Sequence, residues 1–411
     1  MNLGYPETMK LPALRMNLDF MPSPLPDRPG LLMRDPYRFS DTTLIIPPPL
    51  VECLRFFDGE HTDLDLREWL VQRTGQLEVG ELQQQLIEAL SEAGFLHDQN
   101  YEQLRAVRFR EFAESPARPA SHAGQAYPEE KEELAAVLSR CLNADAPPDG
   151  AGGELVGIAA PHVSLEGGWR CYQAAYRALS EAYAGRTFVI LGTSHYGESG
   201  KFGLTKKNFV TPYGEAVCDA ESVEWLARAA SGAVTMEDYC HQVEHSIEFQ
   251  VIFLQHLFGP GVRILPVLCG SFSRSIQEGG LPEGDDEVRR FLDALGELAA
   301  LRGSNWFFVL GIDLAHMGHR YGDSYPAEAN RGPMEEVAAR DRERLARVEA
   351  WDKAGFWRLV QQNQDDLKWC GAAPLYTLMS ALPQARGRLL RYEQWNIDDQ
   401  SVVSFAGMAF S

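Results

Sequence analysis

His162, His195 and His316 each stand just past an apolar run, following GIAAP, FVILGTS and FFVLGIDLA. Such runs read as buried strands, and open α/β sheets bind ligands at the carboxyl edge of their strands. One histidine there is commonplace. Three, in a chain that owns ten, point to one shared site. Cys370, in WCGAAPLYTLM, falls at or just before a helix start, where the positive helix end lowers a thiol pKa and favours thiolate. Asp313, three residues before His316, is placed to orient an imidazole or to serve as a carboxylate ligand. Imidazoles with a carboxylate suit non-haem iron(II); imidazoles with a thiolate suit copper, zinc or iron.

The stretch from Asp238 to Phe258 carries a further set. Val243, Ile247, Val251, Leu254 and Phe258 recur at helical spacing, which predicts one largely buried helix. Its first turns hold His241, Glu244, His245 and Glu248, and helical spacing sets His241 beside His245 and Glu248 beside both Glu244 and His245. Polar groups on a buried helix need partners, since leaving one unpaired costs about 1–3 kcal/mol. They either partner one another or face a site built by other segments.

Rival chemistries have weaker support. Ser194 and Ser246 each adjoin a histidine, but neither lies in a G-x-S-x-G elbow, so a Ser–His–Asp hydrolase is poorly supported. There is no Walker A sequence and no G-x-G-x-x-G after a strand, which leaves nucleotide binding without a motif.

The elements that must position these residues alternate from about residue 154 onward. ELVGIAAPH, RTFVILGTSH, VRILPVL and WFFVLGIDLAH read as strands; GGWRCYQAAYRALSEAYAG, ESVEWLARAA and EVRRFLDALGELAAL read as helices between them. This predicts an α/β fold with a mostly parallel central sheet flanked by helices, and RLLRYEQWN with SVVSFAGMAF predicts a closing hairpin at a sheet edge. EEKEELAAVLSRCL precedes them as an amphipathic helix, followed by a Pro/Gly/Asp-rich break at 145–153. Residues 112–127, FAESPARPASHAGQAY, lead from a linker into this domain, which is taken to begin at 116.

Residues 1–34, rich in proline, read as an arm. Over 35–110 a short strand (TTLII), helices at PPPLVECLRFF, DLDLREWLVQRTG and around Leu82, Leu86 and Leu90, and a returning strand at FLHD suggest a small winged-helix-like α+β domain. Thr62 with Asp65 reads as a capping box. DNA binding is the default for such a domain, but residues 1–116 hold 11 Lys and Arg against 19 Asp and Glu. With a net charge of −20 over 411 residues, neither nucleic acid nor an anionic membrane is expected as a partner. Seven scattered cysteines without a CxxC fit reduced thiols, and no leader or membrane span is read, so a cytoplasmic protein is expected.

Two resemblances follow from these residues. LRFFDGEHTDLDLREWL with LIEALSEAGFL resembles the PqqD-like domains, which implies a docked peptide substrate. RPASHAGQAYP, APH at 160–162, LGTSH at 191–195, EHSIE at 244–248, DLAH at 313–316 and CGAAP at 370–374 fall in the order of the Memo family, over roughly 116–411. That family is similar in fold to the class III extradiol (LigB-type) dioxygenases. The resemblance implies a metal held by His162, His195 and Cys370, in a cleft lined by Glu244, His245, Asp313 and His316. It also implies partnership with a radical-SAM enzyme and a small third protein. The chain departs from the family where APHAGY becomes APHVSL, where Ser-Ser becomes Gly311-Ile312, and where a common His becomes Ala373.

The expectation is a metal-dependent oxidoreductase, with iron before copper. His245 positioned by Glu244 would act as acid/base, as would Asp313 and His316. A non-catalytic peptide- or partner-binding module, or a zinc-dependent hydrolase, would use the same cleft.

Overall fold

The computed structural model describes residues 8–143 and 154–411. The expected break at 145–153 and the first seven residues of the expected arm lie outside the described residues. The chain divides into two compact units, Met1–Glu114 and Ser115–Ser411.

In the first unit, strands β1 (Asp19–Pro22), β2 (Leu31–Arg34) and β3 (Thr43–Ile46) form an antiparallel sheet in that order. Two of these strands lie within the segment read as an arm. A buried ion pair holds that segment down: Arg15 donates to both carboxylate oxygens of Asp35 at 3.0 and 3.1 Å and to the Gly94 carbonyl at 2.9 Å. Helix α1 (Asp63–Thr74) opens on the expected capping box, with Thr62 and Asp65 bonded reciprocally. Helices α2 (Gly80–Glu92) and α3 (Gln99–Glu114) complete the unit. The returning strand expected at FLHD does not form. Leu96 makes a single bridge to Leu14, and Asp98 accepts the Tyr101 amide at 2.9 Å to start α3 instead.

The first helix of the second unit is the expected amphipathic one, α4 (Lys131–Asn143), and the unit is built on four parallel strands. They are β4 (Gly157–Ala160), β5 (Thr187–Thr193), β6 (Arg263–Cys269) and β7 (Trp306–Gly311), lying side by side as β4-β7-β5-β6. All of β4, β5 and β7 is buried, as two-sided burial of a parallel sheet requires. Alternate residues go to opposite faces: Val189, Leu191, Phe308 and Leu310 to one core, and Phe188, Ile190, Phe307 and Val309 to the other. The closing hairpin pairs Gly387–Asp398 with Ser401–Phe410, and the latter strand runs antiparallel to β4. Short strands at Phe202–Leu204, Asn208–Thr211 and Gly214–Cys218 extend the sheet beyond β6. Among the described residues no helix is long and apolar enough to cross a membrane.

Candidate metal centre

The stretch 238–258 is not one helix. It forms α5 (Tyr239–Val243), breaks at Glu244 in an extended conformation (φ −78°, ψ 134°), and resumes as α6 (Glu248–Phe258). The break exists because Glu244 uses its carboxylate as a hub. Oε2 accepts the His195 amide at 2.8 Å; Oε1 accepts the amides of His245 and Ser246 at 2.9 and 3.1 Å. A continuous helix would direct those last two amides to preceding carbonyls. Arg118, fully buried, takes up carbonyls that the interruption leaves, donating to His241 O at 2.9 Å and Glu244 O at 2.7 Å.

Two glycines make room for the turn. A Cβ on Gly311 would stand 2.0 Å from the Ser246 carbonyl oxygen, and one on Gly192 would stand 2.5 Å from Ser246 Oγ. Both lie at the carboxyl ends of adjacent strands, so the interrupted segment rests directly on the sheet rim.

The expected side-by-side placement of His241 and His245 is therefore lost. His241 turns away, donating from Nε2 to Gly203 O at 3.0 Å, while its Nδ1 is buried without a hydrogen bond among the described residues. His245 turns toward His162 and His195. The three ring centroids are each 5.0 Å apart, and the rings of His195 and His245 are nearly parallel. One ligating nitrogen from each lies within 4.8 Å of the others, close enough to hold a metal ion. Cys370 is not in that trio, but its Sγ lies 3.4 Å from His162 Nε2 and 3.3 Å from the Asp313 carbonyl.

Two of the imidazoles are oriented by a partner on Nδ1. His162 Nδ1 donates to Gly311 O at 3.0 Å, which leaves the lone pair on its Nε2, and His195 Nδ1 donates to Glu244 Oε1 at 2.9 Å. Burial, reinforced by the nearby charge of His195, pushes His162 down to about 3. Burial likewise holds His245 well below the usual imidazole range despite Glu244 beside it. Burial opposes charge on His195 too, but there Glu244 and the hydrogen bonds to Cys370 and Glu244 win and raise it well above its ordinary value. Glu244 itself is held well below the carboxylate range: burial raises it, but His195 and His245 outweigh that.

The remaining expected residues sit on the same rim. Asp313 accepts the His162 and Val163 amides at 3.0 and 3.3 Å, and its other oxygen is 3.5 Å from His162 Nε2. Burial raises its carboxyl to about 6, with the charge of His316 opposing. His316 donates from Nδ1 toward the Leu314 and Lys368 carbonyls at 3.0 and 3.1 Å. The thiol of Cys370 departs from the expectation. It stands just before helix α7 (Ala372–Ala381), yet burial raises its pKa more than the His195 hydrogen bond lowers it. The positive end of α7 does not offset the loss of solvent.

Among the described residues, neither serine of the rival hydrolase reading hydrogen-bonds a histidine side chain. Ser246 donates to Thr193 O at 2.8 Å, and Ser194 Oγ accepts the Gly197 amide at 3.2 Å. A cavity of about 690 Å³, lined in part by Val156, Leu292, Lys353 and Leu382, lies at the other end of α7 and is lined by no histidine.

One group stands within the motif RPASHAGQAYP with no role read from the sequence. Arg118, His122 and Tyr127 all meet Glu248. The signal was an arginine, a histidine and a tyrosine within ten residues, in a stretch whose glycine and prolines suggested a loop.

The family model described as Memo-like protein matches residues 118–409. A MEMO1 family protein of Aquifex aeolicus is 27% identical over 383 residues, covering 92% of this chain and 95% of its own. That alignment is longer than the second unit, so it extends into the first. A MEMO1 family protein of Methanopyrus kandleri is 26% identical over 301 residues, 70% of this chain and 96% of its own. One from Thermus thermophilus is 26% identical over 330 residues, 80% of this chain and 92% of its own. With its second unit matched almost throughout, the chain belongs to the Memo-like protein family.

Proposed function

We propose that this rim is a metal centre for one redox-active divalent ion, iron before copper, and that the protein is a metal-dependent oxidoreductase. The observation that carries the reading is the trio of imidazoles, His162, His195 and His245, with one nitrogen of each within 4.8 Å of the others. The donors fit such an ion. Burial keeps His162 and His245 neutral, and His162, with Nδ1 bonded to Gly311 O, presents its lone pair on Nε2. His162 and His195 are common to this trio and to the ligand set the family resemblance implies. The third donor divides between His245 and Cys370, whose sulfur adjoins His162.

Bound there, an ion would supply redox chemistry and Lewis acidity to a substrate. The chain's own residues do the rest. Glu244 orients the His195 ring by accepting a hydrogen bond from Nδ1–H. Asp313, raised to about 6, holds or releases a proton at Oδ2 near neutral pH. His316, with Nδ1 committed to carbonyls, offers Nε2 as acid or base.

The test is metal analysis of protein purified without a histidine tag, beside His162→Ala and His195→Ala. Iron or copper in the wild type, lost in both variants, supports the proposal; unchanged metal content in the variants sinks it. Zinc alone would move the reading to a hydrolase. His245→Ala and Cys370→Ser, compared for metal content, decide the third donor.

A second reading keeps the cleft but not the redox step. The first unit, with its 19 acidic against 11 basic residues, would recruit a peptide. A radical-SAM enzyme and a small third protein are proposed as partners on the family resemblance. Binding that persists with no oxygen uptake for any candidate substrate favours this reading.

A further inference from the structure

Glu248 is a fully buried carboxylate without a role in the centre described above. It is nonetheless saturated. Its Oε1 accepts the His122 amide at 3.0 Å and the Tyr127 hydroxyl; its Oε2 accepts His122 Nδ1 at 2.8 Å and pairs with the Arg118 guanidinium. Arg118 then reaches from this carboxylate to the carbonyls of His241 and Glu244. One guanidinium thus ties the first residue of α6 to the end of α5 across the break that contains His245. On the other side, the ring of His122 meets that of His245 edge-on at 5.7 Å, and both abut Phe249.

We propose that Arg118 and Glu248, with His122 and Tyr127, are positioning residues that hold the interruption open and turn His245 into the centre. The physical reason lies in the backbone. A four-residue gap between two helices, left to itself, gains hydrogen bonds by closing into a continuous helix. Closing it would carry His245 around the helix axis and return its amide to a helical carbonyl. Arg118 occupies the carbonyls on one side of the gap, and Glu244 occupies the amides on the other. Burying an arginine without exposed surface is costly unless it is paired and all its donors are used, which fits a guanidinium retained for geometry. Segment 118–127 is then part of the site, and its loss leaves His162, which is held by Gly311 and Asp313, in place while His245 swings away.

This deepens the metal-centre reading and rests on it for one of two readouts. The full-length protein is tested as Glu248→Gln, which keeps the shape, as Arg118→Lys, and as Tyr127→Phe in case the first two fail to fold. The first readout is Co²⁺ titration, whose visible absorption reports the donor set. The second needs no metal: the rate at which diethyl pyrocarbonate modifies His245, mapped by mass spectrometry against His316, which is held by the Leu314 and Lys368 carbonyls, in the same sample. The expected result is a changed Co²⁺ spectrum with affinity about 10-fold weaker or more. It also includes a several-fold change in the His245 rate that His316 does not share. A role confined to stability would lower Tm and move neither readout, and that outcome overturns the proposal. If wild-type protein takes up no Co²⁺, the metal-centre reading fails, and the His245 rate alone still decides whether the brace exists.

Discussion

Glu244 and His195 are joined twice, through the backbone amide of His195 to Oε2 at 2.8 Å and through Nδ1 to Oε1 at 2.9 Å. The carboxylate comes from the gap between two helices and the imidazole from the end of a central strand. The same oxygen that fixes the ring also accepts the His245 amide, so one side chain sets two of the three imidazoles. Glu244→Gln leaves the size intact but places an NH₂ against N–H donors. Its expected effect is a 10–100-fold loss of metal affinity, read by competition with a chromophoric chelator.

Gly311 bears on the same geometry from below. An added Cβ would stand 2.0 Å from the Ser246 carbonyl, which belongs to the backbone and cannot swing aside. Gly311→Ala is expected to cost about 1–3 kcal/mol in stability by overpacking. It should also lower metal content, because the displaced segment carries His245. Thermal unfolding with and without added Co²⁺ checks both.

His241 gives the contrasting case. It faces Gly203 and not the centre, so His241→Gln should keep the full metal content of the wild type. Loss of its hydrogen bond is expected to cost about 1 kcal/mol. Metal loss in this variant, with Tm little changed, would mean that the ring reaches the site.

Glu248 sets an acid limit on stability. Burial raises its pKa, but Arg118 and His122 more than reverse that and hold it at about 2, below its ordinary 4.5. Between those values the unfolded chain binds a proton that the folded chain does not, so stability rises with pH through this window. The contribution is fully present above about 4.5 and is lost as pH falls toward 2. Its size is on the order of 2–3 kcal/mol. Urea unfolding of wild type against Glu248→Gln should show the wild-type advantage shrinking from pH 5 to pH 3; a constant difference would contradict it.

Much of the site could be read from residue types. GIAAP, FVILGTS and FFVLGIDLA are apolar without alternation, which is what a strand buried on both faces requires, and all three were strands. The placement of His162 and His195 at the rim followed from that. The strands inside the arm and the contacts of Arg118 escaped the sequence for one reason. Proline and glycine describe the local chain, while Arg15 and Arg118 are held by partners distant in sequence, Asp35 and Glu248.

The sequence by itself determined the sheet and which candidate side chains its strands carry to the rim, because strand burial is written in local composition. Only the tertiary structure decided which histidine of 241 and 245 faces the centre. Helical periodicity assumes that each amide bonds four residues back, and here Glu244, Arg118 and two glycines from separate segments offer the backbone better partners and the room to take them. The thiol of Cys370 was settled in the same way: its place before a helix is local, but the burial that governs its proton is contributed by the whole fold.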